Sequence, residues 1–244
     1  MDEGQYIYCL IETGEARNFG AIGIGNQGDA VTTIAYGDLS AVVSRVPMTK
    51  YVVSKETIIS HEKVIEMVMR DYTVLPVRFY TVAPNAEEIR TLLRRRYQEF
   101  KKLFRELDNK VELGLKALWK DMNAVFGEIA EENNDIKAVG ALAAETGRDK
   151  DAVDERGKPA LEHKKAEEGQ AILQPLRRVA ADSCLNRTYG DDMILNAAFL
   201  VDRAREKEFD SEVEKIAAQH ENRIELKYVG PAPPYSFVNI VVRE

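Results

Sequence analysis

The chain has 244 residues, of which 45% are apolar and 31% charged, and its formal net charge is −7. This composition is typical of a globular protein and argues against a dedicated nucleic-acid binder, which would carry a basic surface. No apolar run approaches the roughly 18 residues that a membrane-spanning helix needs. The acidic start, Met1–Gln5, lacks the layout of a secretory signal, so we expect a cytosolic protein in which Cys9 and Cys184 are reduced.

The first half of the chain is rich in strand patterns. Runs of β-branched, aromatic and aliphatic residues, bounded by turn-forming residues, predict strands. The predicted strands are Tyr6–Ile11, Ala30–Tyr36, Leu39–Val46 and Val74–Tyr80. Pro76 cannot donate a hydrogen bond to a neighbouring strand, so it favours an edge or a bulge for the last of them.

Two helical patterns accompany these strands. Ser54 is a helix-capping residue, and it begins an amphipathic segment that extends to about Tyr72 with His61 on its apolar face. Asn85 and Glu88 have the spacing of a capping box ahead of a second amphipathic segment. The continuous apolar stripe of this segment predicts one long helix that ends the first domain or bridges to the second.

The second half begins with strict alternation over Val111–Leu118, which predicts a strand with one buried face. Residues from about 120 to 181 follow a helical pattern. Their portion from Glu145 to Glu168 is dense in charges of both signs, so we expect an exposed helical extension there. A strongly apolar strand, a helix and a last strand follow, the strands at Met193–Val201 and Ile224–Val229.

This order of elements predicts an α+β protein with two α+β domains. The later elements are close to the split βαβ arrangement, in which two helices cover one face of an antiparallel sheet. Residues 107–230 are therefore interpreted as a ferredoxin-like domain with a helical insertion at about 120–181. Residues 1–106 form the N-terminal domain, and a proline-rich tail, residues 231–244, is expected to pack between the two domains.

Two sequences resemble motifs of known binding sites, but each lacks a feature that the site requires. Gly23–Gly28 matches the G-x-G-x-x-G loop of dinucleotide sites, but the residues after Asp29 favour a strand rather than the helix that would bind a phosphate, so a turn is the better interpretation. His61 and Glu62 begin like the zinc motif H-E-x-x-H, but Ile65 takes the place of the second histidine.

Signatures of nucleophile-elbow hydrolases, P-loop NTPases and thioredoxin-like redox centres are also missing from the sequence. We therefore predict no catalytic residue, no cofactor, no metal site and no small-molecule substrate. The protein is interpreted as one that binds other proteins, and an enzyme with a site assembled from distant residues is the weaker alternative.

Arg94, Arg95 and Arg96 make one side of the second helical segment basic, together with Lys101 and Lys102. Such a face could bind RNA, anionic lipid or an acidic protein. Glutamates intersperse it and aromatic residues do not, so a solvated helix face is the simplest interpretation, with an acidic protein partner next.

A proline-rich motif lies near the C-terminus. Its residues are Gly230, Pro231, Pro233, Pro234, Tyr235, Ser236 and Phe237. The prolines favour an extended path without regular hydrogen bonds, and the two aromatic residues can anchor it. The motif therefore predicts a rigid segment that folds back onto the domains.

The same segment, G-P-x-P-P-Y-S-F-V, resembles the signature of the gas vesicle protein F/L family. Two further segments are similar to that family: the opening Tyr6–Tyr8, and the H-E pair followed by V-L-P-x-R-F, which contains Pro76, Arg78 and Phe79. The sequence departs from the family pattern at two positions. Ala232 stands where the family usually has tryptophan, and Tyr80 stands where it usually has glycine.

The resemblance implies a minor component of gas vesicles, the gas-filled protein organelles of aquatic microbes. Such a protein would act in vesicle assembly and nucleation by binding the hydrophobic major shell protein and other accessory proteins, and it would prevent aggregation of the shell protein. The implied location is the gas vesicle, on its inner, gas-facing surface, and the cytoplasm, with no nucleic-acid or membrane partner. The alternative is a ferredoxin-like regulator that binds a small molecule or nucleotide.

Overall fold

The computed structural model describes residues 3–24, 29–48, 54–132 and 150–240, with side chains from residue 157 onward in the last range. The chain divides into two compact units. The first comprises residues 1–112 together with 231–244, and the second comprises residues 113–230. The fold is α+β with two antiparallel sheets, as the sequence predicts.

The first unit is built on a sheet with the strand order β2-β3-β4-β1-β5. Its strands are β1 (Glu3–Ile11), β2 (Asn18–Ala21), β3 (Ala30–Tyr36), β4 (Leu39–Pro47) and β5 (Val74–Ala83). Strand β1 pairs with β4 on one side and with β5 on the other, antiparallel in both cases. Strand β2 has only four residues, and the sequence pattern did not predict it.

Both faces of this sheet are covered along β1, because successive residues of the strand point to opposite faces and most of them are buried. Helix α1 (Lys55–Met69) begins after Ser54, whose side chain accepts a hydrogen bond from the backbone N–H of Thr57. Helix α2 (Ala86–Arg95) begins after Asn85 in the same way. Helix α3 is Tyr97–Leu107.

The prediction of one long helix over this region is wrong, because the helix breaks at Arg96, where φ is −107° and ψ is 19°. The first turn of α3 is held by Asp38, which lies in the turn between β3 and β4. The Asp38 carboxylate accepts hydrogen bonds from the Tyr97 hydroxyl at 2.5 Å and from the Lys101 ammonium at 2.8 Å. This tertiary contact is invisible to hydrophobic periodicity.

Strand β5 is an edge strand, and it carries the irregularity that Pro76 predicts. Cys9 of β1 pairs with Pro76, whereas Ile7 pairs with Thr81, so two steps along β1 match five along β5. The extra residues bulge out of the ladder. The bulge includes Tyr80, whose φ of 67° lies in the left-handed region.

The second unit is built on a sheet with the strand order β7-β8-β6-β9. Its strands are β6 (Lys110–Trp119), β7 (Asp182–Leu185), β8 (Met193–Asp202) and β9 (Ile224–Ala232). The helices of its described residues are α4 (Met122–Glu132), α5 (Lys150–Val179), a short 3-10 helix (Arg203–Arg205) and α6 (Glu206–Gln219). The four-residue strand β7 was not predicted.

The charged helical region packs more closely than the sequence suggested. In α5, Leu161 and Lys165 are buried. Arg223, ahead of β9, forms ion pairs with Glu128 of α4 and with Glu168 of α5, each at 2.7 Å. The part of this region between residues 133 and 149 lies outside the described residues.

Candidate functional site

The C-terminal motif follows a defined path over the first unit. Its two tight turns are closed by the backbone N–H of Tyr235, which donates to the carbonyl of Pro233 at 2.7 Å, and by that of Phe237, which donates to Pro234 at 3.2 Å. Beyond the turns, Ile240 forms an isolated parallel bridge with Val77 of β5. We call residues 231–240 the C-terminal strap, because they run across the edge of the first sheet.

Glu112 fixes the strap at its middle. The Glu112 carboxylate accepts two hydrogen bonds from Ser236, one from the backbone N–H and one from the hydroxyl, both at 2.7 Å. Burial raises the pKa of Glu112, and the two hydrogen bonds from Ser236 oppose that rise. Sequence analysis did not identify Glu112 as a site residue. The alternation of its strand placed it off the buried face, and Ser236 is 124 residues away.

A cleft of about 690 Å³ lies between the strap, the bulge of β5 and helix α1. Its lining residues are Ile58, His61 and Glu62 of α1, Pro76–Phe79 of β5, and Tyr235–Ile240 of the strap. We call it the strap cleft. Its walls combine apolar side chains with the polar side chains of His61, Glu62, Arg78, Ser236 and Asn239.

A buried hydrogen-bond relay holds the bulge that forms one wall of this cleft. His61 is 3% exposed, and its Nδ1 atom lies 3.0 Å from the hydroxyl of Tyr6. The same hydroxyl accepts a hydrogen bond from the backbone N–H of Tyr80 at 3.1 Å, and His61 also hydrogen-bonds to the backbone of Val77. Because Val77 and Tyr80 are the two ends of the bulge, the relay fixes both.

Burial also determines the protonation states in the relay. It lowers the pKa of His61 to about 4, so the imidazole is neutral at pH 7. It raises the pKa of Tyr6, so the phenol keeps its proton. Tyr6 and Nδ1 of His61 thus share a hydrogen bond between two neutral groups. The Tyr8 ring stacks on the imidazole at 5.7 Å and the Phe79 ring meets it edge-on at 5.4 Å, which completes an aromatic wall.

Three large apolar side chains are exposed in or beside the strap cleft. Ile58 and Tyr235, which line the cleft, are 38% and 39% exposed, and Tyr80, beside Phe79 of the lining, is 38% exposed. Large side chains of this type are enriched where proteins bind one another. By contrast, no group of metal-binding side chains occurs among the described residues. The exposed apolar side chains make the cleft suited to binding an apolar segment.

The sequence profile of the family described as "Gas vesicle synthesis protein GvpL/GvpF" matches residues 4–239 of this chain. The chain belongs to the GvpL/GvpF family. Two gas vesicle F proteins illustrate the similarity. The one from Streptomyces sp. is 29% identical over 88% of this chain and 91% of its own length, and the one from Nostoc sp. is 27% identical over 98% and 100%.

Solved structures agree with this assignment. The crystal structure of GvpF from Anabaena sp. has a TM-score of 0.83 at 25% identity, covering 98% of this chain and all of its own. That of GvpF from Microcystis aeruginosa has a TM-score of 0.82 at the same identity, covering 97% and 99%. The GvpL/GvpF family is a gas vesicle family and not a known enzyme family. Among the described residues, no helix has the length and hydropathy needed to cross a membrane.

The structure brings six of the ten residues that carry the GvpL/GvpF resemblance to the strap cleft. These are Pro76, Arg78, Phe79, Tyr235, Ser236 and Phe237. Of the others, Pro233 and Pro234 are buried in the strap and Pro231 is exposed. Gly230 ends the second unit, with a φ of 136°, and both Gly230 and Pro231 lie within β9, so the motif begins in a strand rather than after it.

The glycine-rich sequence of the first unit lies between strands β2 and β3. The backbone N–H of Gly23 donates to the carbonyl of Asp29 at 2.9 Å, and strand β3 follows directly. Residues 25–28 lie outside the described residues. Because a strand and not a helix follows, the loop lacks the helix N-terminus on which a dinucleotide site depends.

Proposed function

We propose that this chain acts in gas vesicle assembly and nucleation as an accessory component that binds the hydrophobic major shell protein through the strap cleft. The observation that carries the proposal is the convergence of two family segments, V-L-P-x-R-F and P-P-Y-S-F, on one apolar-rimmed cleft in a member of the GvpL/GvpF family.

The geometry of the cleft supports a binding role in two ways. Its rim offers Tyr80 and Tyr235, and tyrosine is enriched among the residues that contribute most to binding at protein interfaces. Its walls are fixed in advance by the relay through Tyr6 and His61 and by the contact between Glu112 and Ser236. A preorganised site loses less conformational entropy when a partner binds.

Binding of this kind would also explain how an aggregation-prone subunit stays available for assembly. Exposed apolar surface and unpaired strand edges drive association between copies of a protein. A partner that covers such surface prevents aggregation until the subunit joins the shell. We further propose that the protein contacts other gas vesicle accessory proteins and works between the cytoplasm and the inner, gas-facing surface of the vesicle.

Deleting the gene and measuring both vesicle yield and shell-protein solubility tests this function. The proposal expects few or no vesicles and a shift of the shell protein into the insoluble fraction, with recovery when the wild-type gene is supplied. An unchanged vesicle yield, together with no association between the two purified proteins, would overturn it. Protease treatment of intact and of collapsed vesicles tests the location, since a gas-facing protein is cleaved only after collapse.

We also propose that the second unit is a ferredoxin-like domain with helices inserted between its first two strands. The strand order β7-β8-β6-β9 supports this, because it places the first and third strands of the unit in the centre of the sheet. The division near residues 112 and 113 supports two folding domains. The position of the tail between the domains stays a prediction.

One observation favours the alternative, a regulator that binds a small molecule. The strap cleft, at about 690 Å³, has the volume of many ligand sites. A thermal-shift screen separates the two functions, because a ligand at a hundred times its Kd would raise stability by about 2.7 kcal/mol. A screen without such a shift supports the protein-binding function.

A further inference from the structure

A second concave surface of the first unit lies at the break between α2 and α3. It has a volume of about 530 Å³ and is lined by Tyr36, Gly37 and residues Arg94–Glu99. None of these residues lines the strap cleft. The concavity exists because the chain leaves the helical conformation at Arg96, which turns α3 away from the axis of α2.

The acidic groups around this concavity already have partners. Glu99 is bound by the guanidinium of Arg96, with Nε to Oε2 at 2.8 Å, and this hydrogen bond lowers the pKa of the carboxyl. Asp38 is bound by Tyr97 and Lys101, and Lys101 also forms an ion pair with Glu12. These contacts hold the walls of the concavity in place and give each of its carboxylates a cationic partner.

Arg94 and Arg95 differ from these groups in their exposure and in their ion pairing. Both side chains are exposed, and the ion pairs of the described residues include neither of them. They lie in the last turn of α2, where cations interact favourably with the helix dipole, but that interaction uses little of their hydrogen-bonding capacity. Two guanidinium groups therefore face solvent together in a chain whose net charge is −7.

We infer that this basic concavity is a docking surface for an acidic segment of a partner protein, separate from the strap cleft. Guanidinium groups bind carboxylates through paired hydrogen bonds, and two adjacent arginines match a segment with successive aspartates or glutamates. The exposed ring edge of Tyr36, packed against Tyr97 at 6.4 Å, supplies an apolar wall for the same segment.

Charge distribution favours a protein partner over a nucleic acid. A nucleic-acid site needs a basic stripe that follows many phosphates. Here the neighbouring basic residues already form ion pairs, Arg96 with Glu99 and Lys101 with Asp38 and Glu12. Among the residues that the structure describes at this surface, Arg94 and Arg95 are the cations left without an ion pair, and they are enough for a short acidic segment but not for a row of phosphates.

Fluorescence anisotropy with a labelled oligo-glutamate peptide tests this inference on the full chain. We expect saturable, salt-sensitive binding that the double variant Arg94→Glu/Arg95→Glu weakens by about tenfold or more. The control is Lys116→Glu/Lys207→Glu, which makes the same charge change at two exposed positions of the second unit and should bind as the wild type does.

Three results would overturn the inference. They are no binding of the peptide by the wild-type protein, equal loss of binding in both double variants, and equal or tighter binding of oligo-uridylate RNA or of phosphatidylserine vesicles at the same two arginines. Sedimentation of each variant without peptide checks for a second copy of the chain as the occupant. A change of oligomeric state caused by the arginine substitutions alone would also contradict docking of a different protein.

Discussion

The hydroxyl of Tyr6 forms a hydrogen bond of 3.0 Å with Nδ1 of His61 in the core of the first unit. The same hydroxyl accepts the backbone N–H of Tyr80. This contact joins the first strand and the first helix to the bulge of the edge strand. It shows that His61 supports the wall of the strap cleft.

Stability should fall when the pH is lowered from 6.5 towards 4, because His61 is buried in its neutral form. Its folded pKa of about 4 lies below the ordinary 6.5, so protons bind the unfolded state more readily in this window. The contribution is complete above pH 6.5 and is lost as the pH falls to the folded pKa, about 3 kcal/mol in total. Urea denaturation at a series of pH values measures it.

The matched control for this effect is His61→Gln. The variant lacks the titrating group, so its stability should change less than that of the wild type between pH 6.5 and 4, while carboxylates contribute equally to both proteins. Parallel pH curves for the two proteins would show that His61 is not buried as a neutral imidazole.

Replacing Tyr80 with glycine should destabilise the protein less than replacing it with alanine. Its φ of 67° is a conformation that costs residues with a Cβ atom roughly 1–2 kcal/mol. Both substitutions remove the ring, but only glycine removes the backbone strain. We expect Tyr80→Gly to be more stable than Tyr80→Ala by about 1 kcal/mol in thermal or chemical denaturation, after allowance for the greater freedom of unfolded glycine. Equal stabilities would mean that the bulge is unstrained.

Glu112→Ala should release the strap without unfolding the unit. It removes the acceptor of two hydrogen bonds from Ser236, which as charged hydrogen bonds contribute about 1.5–3 kcal/mol. Hydrogen exchange at residues 236–240 should therefore accelerate, as should exchange at Val77. Glu131→Ala, at an exposed position of α4, is the control and should leave these rates unchanged. Unchanged protection in Glu112→Ala would mean that packing of the prolines alone holds the strap.

Arg223→Ala should destabilise the second unit more than Arg205→Ala. Arg223 pairs with carboxylates from two helices, whereas Arg205 pairs with Glu208 three residues away on an exposed surface. Losing the first network should cost about 1–3 kcal/mol, whereas losing the second, solvent-exposed pair should cost much less. Measuring the free energy of unfolding of both variants tests this difference. Similar destabilisation in the two would show that the network contributes no more than a surface pair.

The same network predicts acid sensitivity. Hydrogen bonds from Arg223 and Lys164 lower the pKa of Glu128 to about 2. This stabilisation is present above the ordinary pKa of 4.5 and is lost as the pH falls towards 2. The effect should be missing from Glu128→Gln, and an acid transition of that variant identical to the wild type would contradict it.

Local patterns were sufficient for much of the fold. Runs of strand-forming residues located β3, alternation located β4 and β6 to within one residue at each end, and capping residues located the starts of α1 and α2. These features depend on residues close together in the chain, so a single sequence contains them. The four-residue strands β2 and β7 have no such pattern, because they exist only through pairing with a longer neighbour.

The strap cleft depends on contacts that no local pattern contains. Arg78, Phe79 and Tyr235 were recognised through family resemblance, but their convergence depends on the bridge between Val77 and Ile240 and on the carboxylate of Glu112. The break at Arg96 is similar, because Asp38, far away in sequence, fixes the start of α3. Contacts between residues so far apart in the sequence form only in the complete fold, so local sequence patterns do not predict them.

The most direct test of the central claim compares two neighbouring isoleucines of α1. Ile58 lines the strap cleft, whereas Ile59 does not, and the two are equally exposed at 38% and 36%. Binding of the major shell protein to immobilised wild type, Ile58→Glu and Ile59→Glu should be lost or reduced by about tenfold or more only in Ile58→Glu, because the substitution places a charge in an apolar interface. Equal binding by all three proteins, or equal loss in both variants, would contradict the strap cleft as the binding site.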